Sequence, residues 1–375
     1  MDLVSDALRS SGADTFVMYA SSRDADMRYM TRFTTSDPFV YLKSGGGKGI
    51  IIVSQMEVLR AARESPASVM TRSQAGLPDI LKKEPDLLKA TARMIAGQAG
   101  RTILVPPHFP VALAKALESH CTVLVDSGAV PGMRARKTRA EIQIMKRVQE
   151  VTQTAMERAV SLIGKSVSRK GILHIRGKPL TSEFIRYTMN CVLLEHGCSA
   201  VDTIVSCGPD TAIPHMTGSG PLSADVPIII DLFPVDEASG YYADMTRTVV
   251  KGEPSPEIRD MYDTLRDAKS LAVSHVRAGV SGSLLYQEVV DYFHDHGYES
   301  NTRGFVHNLG HGVGLQIHEL PTVGPAGTTL DAGNVITIEP GLYYPGIGGV
   351  RIEDIGAVTA KGFTNFTRFS EELIL

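Results

Sequence analysis

The sequence predicts an α+β protein of two domains, a small α/β domain followed by a larger domain in which one order of elements occurs twice. Three observations support this. The chain has 375 residues, which is long for a single hydrophobic core. Its first third alternates helical patterns with short apolar runs. The remainder repeats the order helix, helix, hairpin. The composition, 43% hydrophobic and 21% charged, is that of an ordinary globular protein.

The predicted N-terminal domain covers residues 1–130. Its apolar runs have the length of buried strands, and the segments between them have helical periodicity. The predicted strands are 15–19, 49–53, 102–105 and 122–125, and the predicted helices are 55–62 and 87–95. Residues 127–132 contain two glycines and a proline, which indicates a turn and a domain boundary.

The predicted C-terminal domain covers residues 131–375 and begins with a long helix. Thr138 and Glu141 have the spacing of a capping box, which predicts the start of that helix. The other predicted helices are 181–197, one that begins at Ser255, and 284–296, and the predicted strands are 202–206, 226–233, 242–250, 334–340 and 350–358. These elements make two helix–helix–hairpin units.

Acidic residues occupy matching positions in the two predicted hairpins. Asp231 and Asp244 flank the loop of the first hairpin, and Glu339 and Glu353 flank the loop of the second. The offsets are nearly equal, with 108 residues from Asp231 to Glu339 and 109 from Asp244 to Glu353. This spacing favours an internal duplication with a pseudo-two-fold arrangement.

Each hairpin is expected to place its two carboxylates opposite each other, with Cβ atoms about 5 Å apart. Like charges this close in an apolar sheet repel and lose hydration, so they require a cation between them. Four carboxylates need roughly two divalent ions to balance their charge. His311 is the predicted imidazole ligand, because Gly310 and Gly312 allow the backbone a close approach. Such a ligand set suits Mn, Co, Fe or Zn.

Charge and composition disfavour several other classes of protein. A net charge of −3 and a pI near 6.4 give no general attraction to nucleic acid or to anionic membranes. No apolar stretch approaches the roughly 18 residues of a membrane span, and the first residues lack the pattern of a signal peptide. Four cysteines without CxxC spacing are typical of reduced thiols. We therefore expect a cytoplasmic protein.

Several segments around these residues resemble the pita-bread metallopeptidases, and most closely the Xaa-Pro peptidases prolidase and aminopeptidase P. The segments are Asp231 with 242–248, then 307–314, 338–341 and 351–354. The resemblance covers residues 138–375, and 24–33 resembles the start of a creatinase-type domain. It implies a pita-bread catalytic domain preceded by a creatinase-type α/β domain.

The resemblance implies an enzyme that hydrolyses the bond between an N-terminal residue and proline. It implies that Asp231 binds one metal ion and that His311 and Glu339 bind a second. Asp244 and Glu353 would bridge the two ions. A metal-bridging hydroxide would attack the scissile carbonyl, with Glu339 as proton acceptor.

Further residues match substrate contacts of the family. His215 and His318 match histidines that contact the substrate and stabilise the tetrahedral intermediate. His307 matches a histidine near the residue that follows the scissile bond. Arg351 is a candidate substrate contact, and pairing with a bridging carboxylate is the alternative. The resemblance also favours a homodimer acting on small peptides.

Two other functions stay open. One is a hydrolase or lyase of the same fold that acts on another small substrate, and the other is a non-catalytic binding module. Such modules typically lose metal ligands, whereas this chain has all five.

Asp231 and Asp244 are 13 residues apart. This is about two more than the family pattern, and an even insertion keeps both side chains on one face of the sheet. Dipeptidase and aminopeptidase specificity both fit the motifs.

Overall fold

The structure is a computed structural model that describes residues 2–375. It divides into two compact units, Met1–Arg134 and Ala135–Leu375. Between residues 2 and 375, no helix combines the length and the hydropathy that a membrane-spanning segment needs.

The first unit contains a six-stranded mixed sheet with helices, as the alternating pattern predicts. Its strands are β1 (Thr15–Ala20), β2 (Phe39–Lys43), β3 (Ile50–Val53), β4 (Ser68–Thr71), β5 (Thr102–Val105) and β6 (Thr122–Val125). Its helices are α1 (Leu3–Ser11), α2 (Ala25–Thr31), α3 (Val58–Glu64), α4 (Leu77–Leu81), α5 (Leu87–Ala99) and α6 (Val111–Leu117). The strand order is β4-β3-β2-β1-β5-β6. Val17 packs into one core cluster, and Phe16 and Met18 into another, because successive strand side chains point to opposite faces.

A helix occupies the passage that the composition predicts to be a turn. Helix α7 covers Ala129–Ala135. The Asp126 carboxylate accepts hydrogen bonds from the backbone N–H groups of Gly128 (2.9 Å) and Ala129 (2.6 Å). It thereby satisfies amides that a helix start leaves without intrahelical partners. Pro131 lies in the first turn, where its missing N–H removes no helical hydrogen bond. The prediction of a turn at 127–132 is therefore wrong over residues 129–132.

The second unit contains four long helices and fifteen strands among the residues described. The helices are α8 (Arg139–Gly164), α9 (Ser182–Glu195), α10 (Pro256–His275) and α11 (Gly282–Asp295). The strands are β7 (Val167–Arg169), β8 (Ile172–Ile175), β9 (Lys178–Pro179), β10 (Cys198–Ser199), β11 (Ile204–Cys207), β12 (Ile228–Leu232), β13 (Val235–Asp236), β14 (Met245–Val249), β15 (Gly310–Gly312), β16 (Glu319–Val323), β17 (Val335–Ile338), β18 (Gly341–Tyr344), β19 (Gly348–Arg351), β20 (Asp354–Val358) and β21 (Phe363–Asn365). The capping box of Thr138 and Glu141 at the start of α8 is confirmed.

Two sheets of the second unit each pack against a pair of helices. The three-stranded sheet β11-β12-β14 shares a core with α8 and α9. The five-stranded sheet β16-β15-β17-β20-β21 shares a core with α10 and α11. The repeated helix–helix–sheet arrangement that the sequence predicts is thus present.

Alternation along the strands determines where the acidic side chains point. Ile230 of β12 packs into the core with α8 and α9, so the next residue, Asp231, points to the opposite face of the sheet. Ile338 of β17 packs into the core with α10 and α11. Glu339 follows it directly and has the opposite parity. The polar residues therefore face away from the helices in both sheets.

Candidate metal centre

The first acidic pair comes from β12 and from the residue before β14. Asp231 is paired with Thr246 and Leu232 with Met245, so Asp231 and Asp244 are not directly opposite each other. The prediction of a direct cross-strand pair is therefore wrong in register. Asp244 lies two residues before Thr246, so the two side chains are on the same face of the sheet. Asp244 is therefore a diagonal neighbour of Asp231 on that face.

The second acidic pair lies at an interruption of the hairpin. The β17–β20 ladder ends at Ile338 and Asp354, and the β18–β19 ladder begins at Gly341 and Arg351. The sequence predicts continuous strands here, but Pro340 has no N–H to contribute to a ladder.

The backbone at this interruption bonds to other segments instead. The Glu339 N–H donates to the Leu309 carbonyl (2.8 Å), and the Glu353 N–H donates to the Thr246 carbonyl (3.1 Å). These bonds hold the two glutamates in the gap between the ladders, Glu339 beside the segment that carries His311 and Glu353 beside the strand that follows Asp244.

His311 lies in β15 among these carboxylates. Its Nε2 atom is 3.2 Å from Glu339 Oε1 and 3.6 Å from Asp244 Oδ2. A side chain on either flanking glycine would overlap a backbone oxygen, that of Thr337 for Gly310 and that of Leu320 for Gly312. The close backbone approach that the sequence predicts at these glycines is thus present.

Three of the predicted ligands form a compact group. One ligand atom each from Asp244, His311 and Glu353 lies within 4.8 Å of the others. Glu339 joins this group through its contact with His311. Asp231 lies close enough that its charge raises the pKa of both Asp244 and Glu353. The fold therefore brings all five predicted ligands to one place.

The charges at this place are strongly coupled. Burial, followed by the charge of Asp231, raises the pKa of Asp244 well above its usual value. Burial, followed by the charge of Asp244, does the same to Glu353. Burial opposes charge on His311, but its hydrogen bond to Glu339 and the charges of Glu339 and Asp244 together outweigh burial and raise the pKa of His311 to about 9. Burial would also raise the pKa of Glu339, but the same bond and the charges of His311, His307 and Arg351 together lower it to about 2.

These residues fit divalent cations. Asp231 Oδ1 is buried and has no hydrogen-bond partner among residues 2–375. A buried carboxylate oxygen without a partner is costly unless something positive meets it. Burial, and then repulsion from neighbouring carboxylates, raises the pKa of Asp244 and of Glu353, so their ionised forms need additional positive charge nearby. Carboxylate oxygens with one imidazole suit Mn, Co, Fe or Zn.

Arg351 lies against the acidic cluster, and its side chain is buried. Its Nη2 atom donates to Asp231 Oδ2 (2.7 Å), and Nη1 donates to the Tyr343 hydroxyl (2.6 Å). Nε donates to the Thr246 hydroxyl (3.2 Å). Arg351 therefore contacts a carboxylate of the cluster, but this is Asp231 and not one of the two predicted bridging residues, Asp244 and Glu353.

The three predicted substrate histidines surround the cluster. The ring of His318 lies 4.3 Å from that of His311 at an interplanar angle of 74°. Burial, and then the charge of His311, lowers the pKa of His318. His307 Nε2 lies 3.0 Å from the Tyr343 hydroxyl, and burial lowers the pKa of His307. His215 follows a 3-10 turn (Gly208–Ala212) and lies close enough for its charge to lower both pKa values further.

Sequence reasoning missed three residues that contact this cluster. They are Thr246, Thr337 and Tyr343. A signal was available for the threonines, because each lies two residues from a predicted ligand within the same predicted strand and is therefore expected on the same face. Tyr343 had no comparable signal, since the β18–β19 hairpin carries it to His307 and Arg351.

Two family models match the chain. Residues 143–360 match metallopeptidase family M24, and residues 2–136 match the Creatinase/Prolidase N-terminal domain. The chain therefore belongs to metallopeptidase family M24. Its fold is a creatinase-type N-terminal domain followed by a pita-bread domain.

Named relatives include peptidases that act at proline. A Xaa-Pro dipeptidase from Lactobacillus delbrueckii subsp. lactis is 33% identical over 251 residues, which cover 66% of this chain and 64% of the relative. The match thus spans less than two thirds of that relative's length. The structure of a Xaa-Pro dipeptidase from Bacillus anthracis has a TM-score of 0.84 and 25% identity, and the match covers 100% of this chain and 98% of that one. An X-Pro aminopeptidase from Thermotoga maritima MSB8 has a TM-score of 0.81 and 25% identity, with coverage of 99% and 100%.

Proposed function

We propose that the protein is a metal-dependent Xaa-Pro peptidase, which hydrolyses the bond between an N-terminal residue and proline. The observation that carries the proposal is the convergence of four carboxylates and His311 on one buried place, with Asp231 Oδ1 lacking any partner among residues 2–375. The Xaa-Pro dipeptidase from L. delbrueckii and the X-Pro aminopeptidase from T. maritima support the class of substrate.

Within the proposal, two divalent ions bind to five residues. Asp231 would hold one ion, His311 and Glu339 would hold the other, and Asp244 and Glu353 would contribute to both. Two such ions, when bound, polarise a carbonyl group and lower the pKa of water to about 7. Manganese, cobalt, iron and zinc all suit these donors.

The protein's own side chains carry out the remaining steps. Glu339 is ionised at neutral pH, because its hydrogen bond to His311 and the charges of His311, His307 and Arg351 outweigh burial and lower its pKa to about 2. The ionised carboxylate is the proposed acceptor of a proton from water. His318 is neutral at pH 7, because burial and His311 lower its pKa. With His215 it is placed to donate a hydrogen bond to the carbonyl oxygen as negative charge develops there. His307, held by Tyr343, is placed to contact the residue after the scissile bond.

Arg351 is proposed to act on the ligand set, with substrate contact as the alternative. Its bond to Asp231 Oδ2 leaves Oδ1 for a cation, so the guanidinium orients that carboxylate. A substrate contact would require Arg351 to leave this bond. Substitution by lysine separates the two roles, since lysine keeps the charge but cannot contact Asp231, Tyr343 and Thr246 together.

The proposal also covers organisation and setting. We assign residues 1–130 to the N-terminal domain and 131–375 to the catalytic domain, and we propose a cytoplasmic homodimer. Sedimentation of the purified chain measures the oligomeric state, and a monomeric mass would refute the dimer.

The decisive experiment uses the full chain loaded with each of the four metals in turn. Three substrates separate the alternatives, namely an Xaa-Pro dipeptide, an Xaa-Pro-Yaa tripeptide and Met-Ala-Ser. Cleavage of the dipeptide alone would identify a dipeptidase, and cleavage of the tripeptide an aminopeptidase. Failure to cleave any of them while metal is bound would refute the peptidase proposal. It would favour a hydrolase or lyase acting on another substrate, or a binding module.

A further inference from the structure

Two buried threonines contact the carboxylates of the two glutamate ligands. Thr246 Oγ1 lies 2.8 Å from Glu353 Oε2, and Thr337 Oγ1 lies 3.2 Å from Glu339 Oε1. Both threonines have an exposed fraction of 0%. Water therefore does not compete with these contacts, and each hydroxyl faces a ligand carboxylate without being a ligand in the proposed set.

The direction of both hydrogen bonds is determined by a second partner. Arg351 Nε lies 3.2 Å from the Thr246 hydroxyl, and the backbone N–H of His311 lies 3.1 Å from the Thr337 hydroxyl. Both of these groups are donors only, so each hydroxyl oxygen accepts from them. The single hydroxyl hydrogen is then available only for the carboxylate. Each threonine donates to its glutamate.

The two hydroxyls also connect ligands that come from different strands. Thr246 in β14 reaches Glu353 beside β20, and so links the three-stranded sheet to the five-stranded sheet. Thr337 in β17 links Glu339 to His311 in β15. A rotation of either carboxylate would break these bonds. The threonines thus restrict the orientation of ligands that chain connectivity alone leaves free.

We propose that Thr246 and Thr337 are positioning residues of the metal centre, which set the orientation of Glu353 and Glu339 before a cation binds. The inference rests on the metal binding proposed above, but not on the identity of the substrate. Loss of a hydrogen-bond partner behind a metal ligand typically lowers metal affinity by about 10- to 100-fold. The same loss is expected for the valine variants, because valine has the shape of threonine without its hydroxyl.

Thr248 provides a matched control on the same strand as Thr246. It is equally buried, and its hydroxyl donates to the Arg351 carbonyl (2.9 Å) and accepts from the Arg351 N–H (2.9 Å). It touches no carboxylate in the structure described for residues 2–375. Thr248→Val therefore removes a buried hydroxyl with two hydrogen bonds, as Thr246→Val does, but leaves the ligands' own contacts in place.

The experiment measures manganese retention by full-length protein. Wild type, Thr246→Val, Thr337→Val, Thr246→Ser and Thr248→Val are loaded with Mn²⁺ and dialysed against buffers in which a chelator sets the free ion concentration. Bound manganese is measured by elemental analysis, and thermal unfolding is followed in parallel. We expect about 10- to 100-fold weaker retention for Thr246→Val and Thr337→Val, and retention within about threefold of wild type for Thr246→Ser and Thr248→Val.

Each outcome is decisive. If Thr246→Val retains manganese as wild type does, or if Thr248→Val loses affinity to the same extent, the threonines have only a structural role and the inference is refuted. Wild type that binds no divalent ion would refute both the inference and the proposed metal centre. Wild type that binds manganese but cleaves no Xaa-Pro peptide would refute the proposed substrate alone.

Discussion

A buried ion cluster directly beside the metal centre provides a quantitative prediction. Asp354, the residue after Glu353, has an exposed fraction of 3%, and its Oδ1 atom lies 2.9 Å from Arg247 Nη2. Its Oδ2 atom accepts from Lys269 Nζ at 2.5 Å and from Asn365 Nδ2 at 2.7 Å. Among residues 2–375, Asp354 is the only carboxylate that forms an ion pair with Arg247.

Asp354→Asn keeps the shape of the side chain but removes its charge. The guanidinium of Arg247, exposed by only 2%, is then left without an anion. Removal of one partner from a buried pair costs about 3–5 kcal/mol, because the remaining charge stays desolvated. For a unit of this size, each kcal/mol lowers Tm by about 2–4 °C. We therefore expect Tm to fall by about 6–20 °C.

Thermal and urea unfolding of wild type and Asp354→Asn test this estimate. Asp263→Asn is the control, because Asp263 pairs with Arg266 at 3.2 Å on the surface, where both side chains are about half exposed. Such a pair contributes less than about 1 kcal/mol. A Tm shift for Asp354→Asn no larger than that of the control would refute the reasoning.

The pH dependence of the same difference gives a second check. Burial would raise the pKa of Asp354, but Lys269 and Arg247 outweigh it and hold the pKa below its usual value. Because the pKa is lowered, Asp354 contributes to the free energy of unfolding above about pH 4, and this contribution is lost as the pH falls through the pKa of the folded state. The difference between wild type and variant should therefore be constant near neutral pH and decrease under acid conditions. A difference that grows on acidification would contradict the assignment.

Three further predictions concern the metal centre. Asp244→Asn should lower kcat/KM on Xaa-Pro peptides by more than about 100-fold with an unchanged circular dichroism spectrum, since a ligand is lost without a change of volume; retained turnover would exclude the bridging role. His318→Ala should lower kcat by about 100- to 1,000-fold at constant metal content, which is the usual cost of losing a donor to a developing oxyanion; an equal loss of bound metal would instead make His318 part of the ligand set. In metal-free protein, Tm should fall as the pH rises from 6.5 to about 9. The raised pKa of His311 stabilises the folded state fully below pH 6.5, and this stabilisation is lost as the pH rises through about 9. Metal-loaded protein should lack this decline, and identical profiles of Tm against pH for the metal-free and metal-loaded protein would refute the prediction.

Much of the fold and of the candidate centre could be predicted from local patterns. Thr138 with Glu141 and Ser255 before Pro256 mark helix starts, because their side chains satisfy free backbone amides, and both caps are present. Period-two alternation explains why Asp231 points away from the helices, since Ile230 beside it packs toward them. The repeated helix–helix–hairpin order predicted an internal duplication, and each predicted hairpin lies in a sheet that packs on its own pair of helices.

Predictions failed at a local helix cap and also where distant segments decide the local structure. Residues 127–132 have the composition of a turn, but the carboxylate of Asp126 caps a helix there. The second hairpin was predicted as two continuous strands. Its ladder is interrupted at Glu339 and Glu353, because their N–H groups bond to the carbonyls of Leu309 and Thr246. Leu309 and Thr246 are both far from their glutamates in the sequence, and no sequence pattern indicates these pairings.

The sequence by itself determined the chemical types of the ligands, the parity of their side chains and the order of the elements, because caps and strand alternation act over a few residues. Only the tertiary structure decided the register that places Asp231 opposite Thr246, and the contact of Arg351 with Asp231. It also decided that Thr246 and Thr337 lie behind the glutamates. These features depend on hydrogen bonds between strands that are far apart in the chain, and their geometry exists only when both sheets are assembled.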